Sequence, residues 1–155
     1  MKRIIALALC ICAFMPIVHA EKVWVDMGLP SGTLWASEPE EGFYSYSEAM
    51  EQFGTGIPTK WQWQELMKNC CLLNAGDKGL EVKSKNGSSI VIPFHGWIFK
   101  NGKPQNKENG YYRVFNTHDE KKSAWYVLLD NDPTDYELTW TYKESYKMSV
   151  LLVNK

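Results

Sequence analysis

Two short strand-like runs and the turn between them lie in the stretch Val23-Trp24-Val25-Asp26-Met27-Gly28-Leu29-Pro30-Ser31-Gly32-Thr33-Leu34-Trp35-Ala36. The runs, residues 23–26 and 33–36, are rich in the β-branched and aromatic side chains that strands favour. Gly28, Pro30 and Gly32 separate them and favour turn geometry. The sequence therefore predicts an N-terminal pair of short strands.

Two amphipathic helices are predicted next along the chain. Residues 46–53 contain no Gly or Pro, and their apolar side chains recur three and four positions apart until Gly54 and Gly56 end the pattern. Residues 59–70 begin with Thr59, which can cap a helix, and with Gln62, which can return the bond as a capping box. The predicted buried stripe of this second helix is Trp63, Leu66, Met67 and Cys70, with Lys60, Gln64 and Lys68 left for water.

The later part of the chain alternates with the period of strands. Residues 80–84 and 89–92 flank Asn86-Gly87, a dipeptide expected to supply the positive φ angles of a tight hairpin turn. Residues 100–110 hold no apolar side chain able to anchor them and are predicted to form a long surface loop. Four further strands are expected at residues 111–116, 124–129, 136–142 and 148–153. The second of these is apolar on both faces and so predicts a central strand, whereas the third alternates and predicts one buried face.

Composition and the first twenty residues set the class of protein. A chain of 155 residues with 45% hydrophobic and 23% charged residues is neither disordered, collagenous nor coiled-coil. Residues 1–20 have the parts of a secretory signal peptide: Lys2 and Arg3, an apolar stretch, and Val18-His19-Ala20. We expect cleavage after Ala20 and one exported domain, residues 21–155, in the periplasm, secreted or at the cell surface. Cleavage removes two cations and no acid, so the net charge of −1 becomes −3, which favours neither nucleic acid nor an anionic membrane as partner. No membrane span is expected in the mature chain.

Cysteine usage predicts no disulfide framework. Cys10 and Cys12 leave with the signal peptide, and neither follows a small residue as a lipid-attachment cysteine would. The adjacent pair Cys70-Cys71 remains. A structural thiol is favoured for the pair. An intermolecular or strained vicinal disulfide and a reactive thiolate are the alternatives.

Three segments resemble the Fibrobacter major paralogous domain family, which occurs in exported proteins of Bacteroidetes-type bacteria and is related to the C-type lectin-like fold. They are residues 25–36, which differ mainly at Met27, residues 58–70, and Asn86-Gly87-Ser88-Ser89-Ile90-Val91-Ile92-Pro93. Gly110-Tyr111-Tyr112 matches the family's next motif. Arg113-Val114-Phe115 stands where Trp-Ser-Ser is usual, and Leu151 stands where arginine is common.

The resemblance implies a fold and an exported location more than a chemistry, because most members of the family have no known activity. C-type lectin-like domains bind sugars, proteins or other ligands through loops on a rigid sheet. Calcium-dependent lectins pair a Glu-Pro-Asn or Gln-Pro-Asp loop with a Trp-Asn-Asp strand, and this sequence has neither. Asp130-Asn131-Asp132 with Asp135 is interpreted as an acidic turn in preference to a calcium site. No metal, no other cofactor and no catalytic residue is expected.

The sequence thus predicts the α+β class: a single C-type lectin-like domain with two helices packed on short antiparallel sheets. The expected function is that of an exported, non-catalytic binding module for carbohydrate or a cell-surface protein. A structural or assembly subunit of an envelope or surface complex is the alternative, followed by an enzyme. Trp24, Trp35, Trp63 and Trp125 are predicted core residues, and for Trp97 a core position is favoured over stacking on a sugar. The predicted ligand-binding residues, on or beside the loop 100–110 and the turn 116–120, are Trp97, Asn109, Tyr111, Arg113, Asn116 and His118, with the Arg113 side chain expected to reach solvent.

Overall fold

Helices and short strands mix along the chain in the computed structural model, which describes residues 21–100, 102–116, 123–142 and 144–155. The elements in chain order are β1 (Trp24–Asp26), β2 (Leu34–Ala36), α1 (Tyr46–Phe53), α2 (Lys60–Asn69), β3 (Cys71–Asn74), β4 (Leu80–Lys83), β5 (Ser89–Ile92), β6 (Ile98–Phe99), β7 (Gly110–Arg113), β8 (Ser123–Leu129), β9 (Tyr136–Tyr142), β10 (Tyr146–Lys147) and β11 (Val153–Asn154). Single 3₁₀ turns at Gly54–Gly56 and Gly76–Lys78 follow α1 and β3. The predicted α+β class is confirmed.

The strands form four small antiparallel sheets. Their orders are β1-β2-β11, β3-β4-β5, β7-β8-β9 and the pair β6-β10. The predicted N-terminal strand pair is present, with Val25 opposite Trp35. On the other side of β2, Trp35 also lies opposite Val153 of β11, so the last strand completes the first sheet.

Both helices begin at capping boxes. In α1 the Ser45 hydroxyl accepts from the Glu48 N–H at 3.3 Å, and the Glu48 carboxylate accepts from the Ser45 N–H at 2.8 Å. In α2 Thr59 and Gln62 exchange the equivalent bonds, as predicted. The α2 helix ends at Asn69, so the prediction that Cys70 lies on its buried stripe is wrong. Cys70 is half-buried, with extended backbone that leads into β3, a strand that the sequence did not predict.

The predicted hairpin is present as β4 and β5, with Val82 opposite Ile90. In the hairpin turn Gly87 takes a positive φ angle, +94°, and Asn86 does not, so the expectation that Asn86 shares this conformation is wrong. The Asn86 side chain instead donates from Nδ2 to the Asp26 carbonyl oxygen at 2.9 Å and so ties the hairpin to β1. Gly79 precedes β4 with φ +111°, where a Cβ atom would lie 2.2 Å from the Ile92 carbonyl oxygen.

A single final strand over residues 148–153 is not present, and that prediction is wrong. Met148 and Ser149 form isolated bridges to Tyr44 and Tyr112, and only Val153–Asn154 joins a sheet. The Val150 carbonyl oxygen accepts from the Glu40 N–H at 2.8 Å. The segment is apolar because it crosses the interior and bonds to several loops, a pattern that periodicity cannot separate from a strand.

The core centres on α2. Trp63 packs edge-on against Trp35, with ring centroids 4.9 Å apart, and its ring lies 6.1 Å from that of Tyr112 on β7. Trp24 and Trp125 are half-buried and pack against this core, and Trp35 and Trp63 are fully buried, so all four predicted core tryptophans contact it.

The β7-β8-β9 sheet has β8 in the middle, as predicted. Its third strand only partly meets the expectation of one buried face. Tyr136 and Leu138 of β9 pack against the core, but Trp140 is 58% exposed. Trp140 lies directly opposite Trp125, whose outer face carries the Lys60 ammonium 4.3 Å from the ring centroid.

Candidate functional site

Trp61 is the most exposed large hydrophobic side chain of the described residues, at 76%. It lies in the first turn of α2, whose buried stripe carries Trp63, Leu66 and Met67. Helical periodicity therefore turns the neighbouring indole toward solvent. An indole buries a large area when it meets a partner, so we take the exposed Trp61 side chain as the centre of the candidate site.

Open depressions flank the Trp61 indole on two sides. The larger, about 870 Å³, is bordered by α2, the turn after β1 and the end of β11; it is lined by Ser31, Thr33, Thr55, Gly56, Thr59, Trp61, Gln62, Glu65, Phe115, Val153, Asn154 and Lys155. The smaller, about 640 Å³, includes Gln64, Lys68 and Tyr136. We call the larger one the Trp61 depression.

One wall of the Trp61 depression is a continuous hydrogen-bond network. The Glu65 carboxylate accepts from the Ser31 N–H at 3.0 Å and from the Ser31 hydroxyl at 2.6 Å. The Ser31 and Thr33 hydroxyl oxygens are 2.7 Å apart, and Gln62 Nε2 donates to the Thr33 hydroxyl oxygen at 3.5 Å. Because Gln62 also closes the capping box with Thr59, this wall is held in place by α2 itself.

The turn that supplies Ser31 is shaped by glycine. Gly32 takes a φ angle of +71° and donates its N–H to the Leu29 carbonyl oxygen at 2.9 Å. This conformation places Ser31 against Glu65, so the segment 28–32 contacts α2 through the Glu65 side chain. The helical pattern of the sequence identifies Glu65 only as a polar residue of α2. Phe115 reaches the opposite side because its N–H donates to the Pro58 carbonyl oxygen at 2.8 Å.

The Trp61 depression combines an apolar surface with polar groups of both kinds. The hydroxyls and the Gln62 amide can each donate and accept, and the Glu65 carboxylate has acceptor positions beyond the two that Ser31 uses. Sites that bind small molecules typically join an apolar surface to a few fixed polar groups. The arrangement therefore fits binding of a ligand that has both an apolar face and several hydroxyl groups.

The residues predicted to bind ligand around the loop 100–110 lie elsewhere. Trp97 is half-buried and packs against Tyr146, with ring centroids 4.9 Å apart. The predicted surface loop is present: the described residues 102–109 are mainly exposed and fold back so that Gln105 pairs with the Trp97 backbone. Asn109 is half-buried, and its carbonyl oxygen accepts from the Gly96 N–H at 3.0 Å. Tyr111 is 8% exposed, and its hydroxyl accepts from Asn106 Nδ2 at 3.2 Å.

Arg113 does not reach solvent, so that expectation is wrong. The side chain is 0% exposed and donates from Nε to the Tyr44 carbonyl oxygen at 3.2 Å and from Nη2 to the Tyr146 carbonyl oxygen. Burial lowers its pKa, against the opposing effect of nearby acidic groups, of which Glu144 is the strongest. The guanidinium joins the segment before α1 to β10 and has no face open to a ligand.

The remaining predicted site residues are Asn116 and His118. Asn116 is half-buried; its Oδ1 accepts from the Trp125 N–H at 3.1 Å, and its Nδ2 donates to the Ser123 carbonyl oxygen at 3.4 Å. Its amide thereby bonds to the start of β8. His118 lies outside the described residues.

The oxygen-rich cluster of residues 130–135 forms a turn stabilised by its own backbone. Asp130 Oδ1 accepts from the Asp132 N–H at 2.8 Å, and Asp132 Oδ1 accepts from the Thr134 N–H and hydroxyl at 2.9 and 2.7 Å. These bonds from Thr134 lower the pKa of Asp132. In the described part of the chain no group of three or more His, Cys, Asp or Glu side chains is arranged to hold a metal ion.

Cys70 and Cys71 are free thiols in different surroundings. Cys70 is half-buried against the core, and burial raises its pKa, which disfavours the nucleophilic thiolate. Cys71 is exposed on β3, opposite Lys83. The interpretation as a small packed hydrophobe therefore describes Cys70 but not Cys71.

Comparison of the chain with protein-family models, with curated proteins and with solved structures found no match. Among the helices of the described residues, none has the length and apolar character needed to cross a membrane.

Sequence reasoning missed Trp61 and Glu65 as site residues. The signal that marks Trp61 is its position: a tryptophan one residue after Lys60, on the side of the helix assigned to water. Glu65 carries no comparable signal, because its role comes from Ser31, 34 positions away in the chain.

Proposed function

We propose that residues 21–155 form an exported, non-catalytic binding domain that recognises carbohydrate in the Trp61 depression. The observation that carries the proposal is the 76% exposed indole of Trp61 beside a wall of hydrogen-bonded hydroxyl, amide and carboxylate groups. The residues that we assign to ligand contact are Trp61, Gln62, Glu65, Thr55 and Asn154. The proposed site thus lies on α2, β11 and the 3₁₀ turn after α1, and no longer on the loop 100–110.

The chemistry of this surface fits a sugar better than a purely apolar ligand. A pyranose ring has one face of C–H groups, which packs on an indole, and a rim of hydroxyls that each donate and accept a hydrogen bond. Thr55 and Asn154 are exposed and line the depression, so their polar groups are accessible to such a rim. Ser31, Thr33 and Gln62 are already bonded to one another, which lowers the entropic cost of ordering the wall on binding.

Export and family remain part of the same proposal. The signal-peptide pattern of residues 1–20 supports cleavage after Ala20, and residues 25–36 support a relationship to the Fibrobacter major paralogous domain and a C-type lectin-like fold. The α+β class and the pairing of the last strand with the second are compatible with that relationship.

The test is a glycan array probed with residues 21–155, followed by calorimetric titration of any glycan that binds. We expect Trp61→Ala to weaken binding by at least about tenfold, because loss of a central aromatic contact typically costs more than 1 kcal/mol. Its unfolding midpoint should remain that of wild type, because the side chain is mostly in water.

Trp140→Ala is the matched control. It removes a second exposed indole, 58% accessible, that lies on β9 and lines neither depression. Its glycan affinity should equal that of wild type. Equal losses for the two variants would show non-specific aromatic binding, and unchanged affinity of Trp61→Ala would exclude the Trp61 depression as the site.

A further inference from the structure

The strand β5 lies at an open edge of the β3-β4-β5 sheet. The Ser84 N–H donates to the Ser88 carbonyl oxygen at 2.8 Å, and hydrogen-bonded pairs alternate along an antiparallel ladder. Val82 and Ile90 are therefore the next bonded pair, and Ser89 and Val91 direct their N–H and C=O groups away from β4. Among the described residues, the main-chain groups of Ser89 and Val91 have no other hydrogen-bond partner. Such an edge is a template for a further strand.

A groove of about 980 Å³ lies beside this edge. Ser89 and Val91 line one side, the segment 37–43 lines the other, and the rings of Phe43 and Phe94 contribute apolar surface. Val91 is 37% exposed, so its side chain is accessible from the groove. The groove thus offers main-chain donors and acceptors together with an apolar lining.

The charges around the groove are mainly negative. Four carboxylates line it, those of Glu38, Glu40, Glu41 and Asp77, against the two ammonium groups of Lys78 and Lys107. Lys22 forms an ion pair with Glu40, which leaves the other three carboxylates without an ion pair in the described part of the chain. Burial lowers the pKa of His95, which disfavours the positively charged form of this side chain.

We propose that this groove binds an extended, basic peptide segment of a partner protein, which adds a fourth strand to the β3-β4-β5 sheet through the free main-chain groups of Ser89 and Val91. Main-chain pairing supplies the affinity in this mode of recognition, and complementary charge selects the partner. A second copy of this chain fits less well, because pairing β5 with β5 would bring two acidic grooves together. The groove shares no lining residue with the Trp61 depression, so peptide binding at the groove and carbohydrate binding at the Trp61 depression can be tested independently.

The test uses three synthetic peptides with the blocked sequence acetyl-Lys-Val-Thr-Val-Lys-amide and residues 21–155 labelled for NMR. The first peptide is unmodified, and the other two are N-methylated on alternate residues. In a bound strand one alternate set of N–H groups faces β5 and the other faces solvent. We expect chemical-shift changes and slowed hydrogen exchange at the Ser89 and Val91 amides. One methylated isomer should bind about tenfold more weakly for each hydrogen bond lost, while the other binds like the unmodified peptide.

Val91→Pro and Val91→Thr are the matched protein variants. Proline removes the outward N–H and is tolerated on an edge strand, whereas threonine keeps that N–H. Peptide binding should be lost in the first and kept in the second. If Val91→Pro does not fold, the two methylated peptides still decide the question with the wild-type protein.

Three results would overturn the proposal. The first is equal binding of the two methylated isomers, and the second is equally tight binding of a peptide with glutamate in place of both lysines. The third is a dimer in sedimentation experiments that Val91→Pro abolishes, since the edge would then bind a second copy of this chain.

Discussion

Arg113 is a buried charged residue that links separate segments of the fold. Its guanidinium donates to the carbonyl oxygens of Tyr44 and Tyr146, and Nη1 has no hydrogen-bond partner within the described residues. No carboxylate in the described part of the chain hydrogen-bonds to Arg113, so its desolvation is offset by these two carbonyls and by the more distant Glu144 and Glu48. The side chain was expected at the surface because arginine is rarely buried. Nothing in the local sequence Tyr112-Arg113-Val114 indicates that two carbonyl oxygens distant in the chain accept its hydrogen bonds.

Arg113→Ala is predicted to lower the free energy of unfolding by about 3 kcal/mol. The substitution removes both hydrogen bonds that the guanidinium donates and the packed stem of the side chain. The Tyr44 carbonyl oxygen keeps its bond from the Met148 N–H at 3.0 Å, so the Tyr146 carbonyl oxygen and the emptied volume account for most of the cost. Arg113→Met should cost less, because methionine keeps much of the packing while it removes the charge. Urea denaturation followed by circular dichroism measures both. A midpoint of Arg113→Ala equal to that of wild type would mean that the side chain is not buried in solution.

Capping boxes explain why the two helices were the most predictable elements. Each box is a local signal of four residues, so Thr59 and Gln62 could be assigned from the sequence, and Ser45 with Glu48 carries the same pattern, which was missed. β3 and the end of the chain were not predictable in this way. Cys71 pairs with Lys83, and Met148 pairs with Tyr44. Because these partners are distant in the sequence, the pairings leave no periodic pattern in the paired segments themselves.

Thr59→Ala is predicted to lower the free energy of unfolding by about 1 kcal/mol through loss of the α2 cap. Thr59→Ser, which keeps the hydroxyl that accepts from the Gln62 N–H, is the control and should lie close to wild type. Both are compared by denaturant midpoint at neutral pH. Equal midpoints for Thr59→Ala and wild type would remove Thr59 from the capping role.

Glu48→Gln is predicted to reduce stability at pH 7 and to have no effect in acid. The bond from Lys147 Nζ, 2.7 Å from Oε1, lowers the pKa of Glu48, and the Ser45 N–H adds to this. Because the folded-state pKa lies below the unfolded one, the stabilisation is present above about pH 4.3 and is lost as pH falls through the folded value. The glutamine still caps α1, so the difference isolates the ion pair, which is partly exposed and worth less than about 1 kcal/mol.

Unfolding free energies of wild type and Glu48→Gln at pH 7 and about pH 3 decide this prediction. A difference that persists unchanged in acid would assign the effect to the cap geometry and not to the charge.

For the whole molecule, the sequence predicted the class and most elements but not how the elements pack together. The apolar patterns of α2, β4, β5 and β8 predict that these elements share one core, and they do pack together around Trp63. The site was harder to predict because it joins the turn after β1, the start of α2 and the end of β11. Only tertiary contacts such as the one between Ser31 and Glu65 bring these three regions together.

The last prediction concerns calcium and the molecule as a unit. A cation bound only to the native state must raise the melting temperature, by an amount set by its concentration relative to Kd. Asp130 and Asp132 use carboxylate oxygens to hold the backbone of their own turn, and ligation of calcium needs six to eight oxygens from converging groups. We therefore expect residues 21–155 to melt within about 1 °C in millimolar calcium and in chelator. Asp132→Asn, which weakens any cation site but keeps an acceptor for the Thr134 N–H, should likewise melt at one temperature in both buffers. An increase of several degrees with calcium, abolished in Asp132→Asn, would make the acidic turn a metal site.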